Sequence, residues 1–302
     1  LSRAIVARMQ TSEYFRLVEP DLSEAQADEM LSRGDLQFVV HVPVGFERDV
    51  RRGTHPSLLI EADATDPSAT SHGLASMEEI GARAARDVLR GTSSDLIAVP
   101  PPFGIRVHAR YNPEAHTAYN IVPGLMGVIL TMTMVMITAL AMTRERERGT
   151  LEMLLSTPVR PIEVLVGKII PYIFVAYIQI GLILVAARLL FQVPMEGSLL
   201  LLLGSALVFV LANLGVGVTF STVARNQLQA VQMAFFFFLP SILLSGFMFP
   251  FRGMPEWAQH IGSVLPITHF LRIVRGIMLK GNGWFEVAPE VGKMALFLVA
   301  SL

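Results

Sequence analysis

The residues best suited to bind another protein lie in one short charged segment, residues 144–158. It opens as Arg-Glu-Arg-Glu-Arg, and Gly149 and Thr150 follow. Arginines and carboxylates form strong charge-assisted hydrogen bonds, so this run suits docking on a charged protein partner. Three leucines then share one helical face, at i, i+3 and i+4: Leu151, Leu154 and Leu155. The segment therefore predicts an amphipathic helix with a charged end.

Two other interpretations of this segment stay open at the level of sequence. In one, it is an ordinary cytoplasmic loop whose leucines rest on lipid headgroups. In the other, its charges pair within one helix, so that Glu145 and Glu147 neutralise Arg144 and Arg148. Only docking on a partner would give the segment a function of its own.

The other polar residues form no pattern typical of an enzyme or a metal site. The chain has no cysteine, and its histidines lack the spacing of metal ligands: His41, His55, His72, His108 and His116 among them. Gly167 and Lys168 precede Ile169, so they do not complete a P-loop, and there is no G-x-S-x-G sequence. We therefore expect no catalytic residue, metal or cofactor in this chain.

Long uncharged runs predict membrane spans. The chain is 52% hydrophobic and 16% charged, against about 25% charged in typical soluble domains. A soluble helical bundle with runs of this length would expose too much apolar surface. Residues 197–251 contain one charged residue, Arg225, and are long enough for two helices. The predicted spans are about 121–142, 164–188, 198–223 and 228–249, with the start of a last span at 291–302.

The predicted spans carry few internal polar groups. The first four have no Asp, Glu, Lys or Arg except at their ends, and their main polar side chains are Gln179, Asn213 and Gln232. Ion-coupled transporters usually need buried ionisable residues. We therefore expect the energy for transport to come from another polypeptide, with these three residues as the candidate translocation path.

The distribution of basic residues predicts the orientation. Five cations crowd the connection between the first two spans, which places it in the cytoplasm: Arg144, Arg146, Arg148, Arg160 and Lys168. The next connection, 192–197, has none. Residues 1–118 would then be extracytoplasmic. Four later cations disagree with this orientation, because it puts their segment on the outer side: Arg252, Arg272, Arg275 and Lys280.

Residues 14–110 alternate strand-like and helix-like segments, which predicts a small α/β domain. A strand is expected at 14–19. Ser23 and Gln26 have the spacing of a capping box, and Gly34 is suited to end the helix that they begin. Strands are also expected at 36–42, 57–62 and 103–109, and helices at 45–52 and 71–90.

The charged segment also resembles that of a known family, the type-2 ABC exporter permeases. The resemblance is most specific in residues 144–172, and it runs in order through the chain: Arg110-Tyr111-Asn112-Pro113, Val122-Pro123-Gly124, residues 144–158, Glu163, Gly167-Lys168, Pro171-Tyr172, residues 265–270 and Arg275-Gly276. It implies a six-span helical membrane domain, 119–302, preceded by an extracytoplasmic α/β domain, 1–118. The first family span would be absent here and the last truncated, as in a fragment of a longer protein. Residues 254–264 would form a short re-entrant or interfacial helix.

The resemblance implies a permease subunit that exports an amphipathic or drug-like substrate across a bacterial inner membrane. ATP and Mg would be bound by a separate ATP-binding subunit, and a second permease would complete the transporter. A periplasmic adaptor is a further expected partner. No binding of nucleic acid is expected. Residues 144–158 would be the coupling helix, with seven contact or positioning residues: Arg144, Glu145, Glu147, Arg148, Gly149, Thr150 and Glu152. The alternative is a membrane-anchored sensor or scaffold whose external domain binds a ligand, although such a protein needs only one or two spans.

Overall fold

The computed structural model describes residues 2–11, 15–18, 22–89, 103–149 and 161–301. The chain divides into two compact units, Leu1–Thr117 and Ala118–Leu302. Thr150, Glu152 and the rest of the predicted coupling helix beyond Gly149 lie outside the described residues.

In its described residues, the first unit has a three-stranded sheet and four helices. In chain order its elements are α1 (Ser2–Thr11), α2 (Glu24–Arg33), β1 (Phe38–His41), α3 (Phe46–Arg51), β2 (Ser57–Asp63), α4 (Pro67–Leu89) and β3 (Gly104–Arg110). The strand order is β1-β2-β3, with β1 antiparallel and β3 parallel to the central β2. Alternate residues of β2 are buried, namely Leu58, Ile60 and Ala62, so one face of the sheet packs on the core with Phe46, Met77 and Phe103.

Local sequence signals explain several boundaries in this unit. Ser23 accepts a hydrogen bond from the backbone of Gln26, whose side chain returns to the backbone of Ser23, so the predicted capping box is confirmed. Gly34 ends α2 with φ +80°, as predicted. The strand expected at 14–19 is wrong where it can be compared, because residues 15–18 have no regular secondary structure.

The second unit consists of helices. They are α5 (Thr117–Glu147), α6 (Pro161–Leu189), α7 (Leu199–Val223), α8 (Gln227–Leu244), α9 (Glu256–Gly262), α10 (Pro266–Arg275), which continues as a π-helix over Gly276–Lys280, and α11 (Trp284–Ser301). The helix predicted to reach residue 249 ends at Leu244, because Gly246 turns the chain with φ +85°. The last helix begins at Trp284, ahead of the predicted residue 291.

Four of the described helices are long and apolar enough to cross a membrane, namely α5, residues Val166–Leu189 of α6, α7 and α8. The number rises to five if α9 and α10, which are bent by 83° at a short break, form one broken span instead of a re-entrant loop. The chain is therefore a multi-pass helical membrane protein.

The core of the second unit lies around α7, α10 and α11. Phe209 of α7 stacks on Phe270 of α10 at a ring-centroid distance of 4.1 Å. Gly217 lets α7 approach α5 closely, because a Cβ there would lie 2.8 Å from the carbonyl oxygen of Val135. Half of the most apolar window of α5 and 56% of that of α7 are buried, against 11% for α6 and 17% for α8. The outer helices α6 and α8 thus leave broad apolar faces for lipid or for another protein.

Candidate coupling site and polar clusters

The charged residues 144–147 form the last turn of α5, so the end of this helix and the start of the predicted coupling segment are continuous. The chain leaves the helix at Gly149, whose backbone donates to the carbonyl of Arg146 at 3.2 Å. Gly149 has φ +68°, a left-handed conformation that glycine adopts without steric cost. A glycine is therefore needed here to redirect the chain as it leaves α5.

Glu145 and Arg146 connect α5 to two other helices. Glu145 forms an ion pair with Lys168 of α6, and the side chains of these two residues are 32% and 17% exposed. The Arg146 guanidinium donates to the backbone carbonyl oxygen of Thr222 at 3.0 Å. That carbonyl is in the last turn of α7, where helix carbonyls lack partners within the helix.

Glu147 connects α5 to the start of α8. Its carboxylate accepts the backbone N–H of Gln227 at 2.8 Å, and its second oxygen accepts the Gln227 side-chain amide. A carboxylate at a helix N-terminus satisfies an otherwise unpaired N–H and faces the positive end of the helix dipole. The set formed by Glu145, Arg146, Glu147 and their partners Lys168, Thr222 and Gln227 is called the α5-end cluster below.

The two remaining arginines of the segment point elsewhere. Arg144 and Arg148 are exposed, and neither forms a side-chain hydrogen bond or ion pair with the described residues. Of the seven predicted contact residues, Glu145 and Glu147 therefore bind neighbouring helices of the same chain. The structure leaves Arg144 and Arg148 on the surface at the same end of α5.

The three residues of the predicted translocation path have different surroundings. Gln179 of α6 accepts a hydrogen bond from Thr133 of α5 at 2.9 Å. Asn213 is fully buried in α7; its amide nitrogen donates to the carbonyl of Phe209, while its side-chain oxygen has no hydrogen-bond partner among the described residues. Gln232 is exposed on α8. Within the part of the chain that the structure describes, no hydrogen bond joins any two of these three side chains.

A second polar cluster, which the sequence did not predict, joins α10 to α11. His269 is only 3% exposed; its Nδ1 contacts the Glu290 carboxylate and its Nε2 lies 2.8 Å from the carbonyl oxygen of Ser263. Glu290 also pairs with Lys293 at 2.7 Å and with Arg272 at 3.6 Å. These four side chains, His269, Arg272, Glu290 and Lys293, are called the His269 cluster.

Glu290 is surrounded by cationic and hydrogen-bonding side chains, namely His269, Lys293 and Arg272. The two ring nitrogens of His269 thus face two acceptors, the Glu290 carboxylate and the carbonyl oxygen of Ser263. The cluster is therefore a polar junction between two helices, with His269 buried and Arg272 and Lys293 at its exposed edge.

In the first unit, charged side chains meet at Glu61 of β2. Arg110 of β3 lies 3.0 Å from Glu61 and 2.7 Å from Asp28 of α2, while His108 and His41 approach Glu61 at 3.6 and 3.9 Å. Burial lowers the pKa of Arg110, but its hydrogen bond to Glu61 and the nearby carboxylates raise the pKa more. Among the described residues no group of three His, Asp or Glu side chains is placed to hold a metal ion. The contacts of Arg110 tie α2 to the sheet.

The fold and the polar clusters thus define a class, a multi-pass helical membrane protein with a charged surface at the end of one apolar helix. Comparison with known proteins identifies it further. Residues 1–302 match the family model described as ABC-2 family transporter protein. The chain belongs to this family, and it is the membrane-spanning permease of an ABC transporter.

Individual relatives agree with the family match. The probable multidrug ABC transporter permease YbhS of Escherichia coli is 32% identical over 276 residues, which cover 90% of this chain and 71% of that protein. The inner membrane transport permease YhhJ of Escherichia coli is 31% identical over 276 residues, covering 87% and 71%. ABC transporter G family member 20 of Dictyostelium discoideum is 27% identical over 172 residues, covering 57% and 24%. A match to so small a part of the last protein shows that similar sequence also occurs within a much longer chain.

Proposed function

We propose that this permease exports an amphipathic or drug-like substrate from the cytoplasm or inner leaflet across a bacterial inner membrane. ATP, with Mg, is hydrolysed in a separate ATP-binding subunit. The names of YbhS and YhhJ, a probable multidrug permease and an inner membrane permease, support the substrate class and the location. The uncharged interior of the four apolar helices also suits an uncharged or amphipathic cargo better than a highly charged one.

The observation that carries this proposal is the position of Arg144 and Arg148. Both guanidinium groups are exposed at the end of α5, beside carboxylates that are already bonded to the same chain. Exposed arginines suit charge-assisted hydrogen bonds to carboxylates of another protein. We infer that they dock on the ATP-binding subunit, with Gly149 setting the direction of the segment that includes Thr150 and Glu152.

The transport path in this proposal follows the polar groups of the membrane helices. Asn213 offers a buried amide oxygen without a partner among the described residues, and Gln179 and Thr133 form a polar pair between α5 and α6. A buried group without a partner, such as the Asn213 oxygen, can hydrogen-bond a substrate without first giving up a bond within the protein. Gln232, exposed on α8, would contact the substrate only where a second permease closes the path.

The complete transporter in this proposal contains two permeases and two ATP-binding subunits. The exposed apolar faces of α6 and α8 leave surface for a second permease as well as for lipid. Basic residues near the ends of α5 and α6 support a cytoplasmic position for that end, and with it an extracytoplasmic position for residues 1–118. There the α/β unit would meet cargo or a periplasmic adaptor.

The proposal is tested by purifying the permease with its ATP-binding subunit. We expect Arg144→Glu combined with Arg148→Glu to abolish co-purification, because two attractive contacts become repulsive. Gly149→Pro should also weaken assembly, since proline holds φ near −65° and cannot adopt +68°. Arg188→Glu, an equally exposed arginine at the other end of α6, is the matched control. Unchanged assembly and ATP hydrolysis in both test variants would refute the docking assignment.

A further inference from the structure

The charges at the end of α5 divide into two sets. Arg144 and Arg148 face solvent, whereas the three residues between them, Glu145, Arg146 and Glu147, bond to other helices of the same chain. Sequence alone grouped the two carboxylates with the residues that contact the ATP-binding subunit. The structure instead directs their side chains to α6 and α8.

The partners of these carboxylates lie near the ends of long helices. Lys168 is eight residues into α6, counted from Pro161, and Gln227 is the first residue of α8. Arg146 adds a contact to the last turn of α7. The final turn of α5 therefore holds one end of each of three helices, each of which is a stiff rod with its backbone hydrogen bonds satisfied internally.

The geometry of the contacts favours transmission of movement. Glu147 receives two donors from one residue, which fixes its orientation relative to α8 as well as its distance from α8. The Glu145–Lys168 pair is partly shielded, so it is screened less than a fully exposed pair. Exposed or half-exposed pairs add little to folding stability. Such pairs can instead set the relative positions of the helix ends that they join.

We propose that Lys168 and Gln227 are positioning residues for energy coupling. They hold Glu145 and Glu147, so that a displacement of the coupling segment by the ATP-binding subunit moves the adjacent ends of α6 and α8. Arg144 and Arg148 form the contact to the ATP-binding subunit, and the α5-end cluster carries its movement into the bundle. This inference rests on the proposed function, because it requires an ATP-binding subunit that acts on residues 144–158.

Residues 1–302 contain no cysteine, so a cysteine introduced among them is the only thiol in that part of the permease and makes the test direct. Val166→Cys reports on α6, where residue 166 is 48% exposed, and Leu228→Cys reports on α8, where residue 228 is 69% exposed. The permease is purified with its ATP-binding subunit. The rate of maleimide labelling is compared without nucleotide and after trapping with ATP, Mg and vanadate. The fold-change between the two states is the response.

We expect each contact to control the response of its own helix. Lys168→Met should reduce the response at residue 166, and Gln227→Ala, which removes the side-chain amide bond to Glu147, the response at residue 228, each by roughly two- to fivefold, as fits the strength of a partly exposed contact. Assembly and ATP hydrolysis should persist in both variants. Exchanging the charges, Glu145→Lys with Lys168→Glu, should restore the response at residue 166. Glu145→Gln tests the same contact from α5 if Lys168→Met does not fold, and Arg188→Gln is the control at the far end of α6.

Each outcome decides between the two proposals. If the original chain shows a nucleotide response and both variants keep it unchanged at both positions, Lys168 and Gln227 have no coupling role while the proposed function stands. A charge exchange that fails to restore the response likewise contradicts the inference. The proposed function fails, and the inference with it, if no ATP-binding subunit co-purifies with the original chain. The same holds if the labelling rate of the permease is unchanged by nucleotide.

Discussion

The α5-end cluster and the His269 cluster both connect membrane helices, but they differ in burial. His269 is 3% exposed and the Glu290 side chain 17%, whereas Glu147 is exposed and Glu145 is 32% exposed. Removing one partner of a buried ionic pair leaves an uncompensated charge and is strongly destabilising, while exposed pairs contribute little net stability. Similar residue types therefore fix two helices to each other at the His269 cluster and leave the helix ends movable at the α5-end cluster.

The same comparison clarifies the basic residues that opposed the predicted orientation. Two of the four contact other parts of the bundle: Arg272, although exposed, lies 3.6 Å from Glu290, and Arg275 lies 3.5 Å from the carbonyl oxygen of Gly246. The positive-inside rule concerns cations in the loops beside a span. Residues that are part of helix packing carry less weight in that count, so the contrary signal from this segment is weaker than its sequence suggested.

The largest effect is expected from removing Glu290. Glu290→Ala leaves the buried His269 without its carboxylate partner, and Lys293 without its ion-pair partner. We expect a loss of about 3 kcal/mol, in the range for breaking one side of a buried ionic contact. The thermal unfolding midpoint of the permease purified in detergent measures this loss.

Glu256→Ala is the matched control for that experiment. Glu256 is an exposed carboxylate in the first turn of α9, and its loss should change stability by no more than about 0.5 kcal/mol. Equal midpoints for the two variants would show that the His269 cluster contributes no more than a surface carboxylate. The two clusters would then not differ in their contribution to folding stability.

A smaller effect on stability is expected at the α5-end cluster. Lys168→Met should lower the free energy of unfolding by no more than about 1 kcal/mol, because the pair with Glu145 is partly exposed and methionine retains the apolar stem of lysine. The same thermal unfolding assay applies, with Arg188→Met as the control. A loss as large as that of Glu290→Ala would show that this pair is also structural, and would remove the distinction drawn here.

The sequence predicted features that depend on neighbouring residues. The capping box of Ser23 and Gln26 and the left-handed Gly34 follow from a few adjacent side chains, as do the uncharged runs that became α5 and α7. The charged segment was visible for the same reason, since residues 144–148 are consecutive. The sequence was sufficient to predict those features whose interacting residues are adjacent in the chain.

Contacts between distant residues could not be predicted in the same way. His269 and Glu290 are 21 residues apart, and Glu147 and Gln227 are 80 apart, so only the packing of α10 on α11 and of α5 near α8 brings them together. A weak signal existed, because Glu290 and Lys293 share a helix face at i, i+3. The end of α8 at Leu244 was missed because the apolar composition continues through residue 249 while the backbone turns at Gly246.

The smallest predicted effect separates the clusters by their response to salt. A double-mutant cycle on Glu145 and Lys168 should give a coupling energy that falls by a few tenths of a kcal/mol between about 0.1 M and 1 M NaCl, because the screening length shortens from about 10 Å to 3 Å. The cycle on His269 and Glu290 should stay unchanged, since these side chains are almost shielded from solvent ions. The unfolding midpoint of each single and double variant, measured at both salt concentrations, gives the two energies. Equal salt dependence in both cycles would contradict the assignment of the Glu145–Lys168 pair to a more solvent-exposed position than the His269–Glu290 pair.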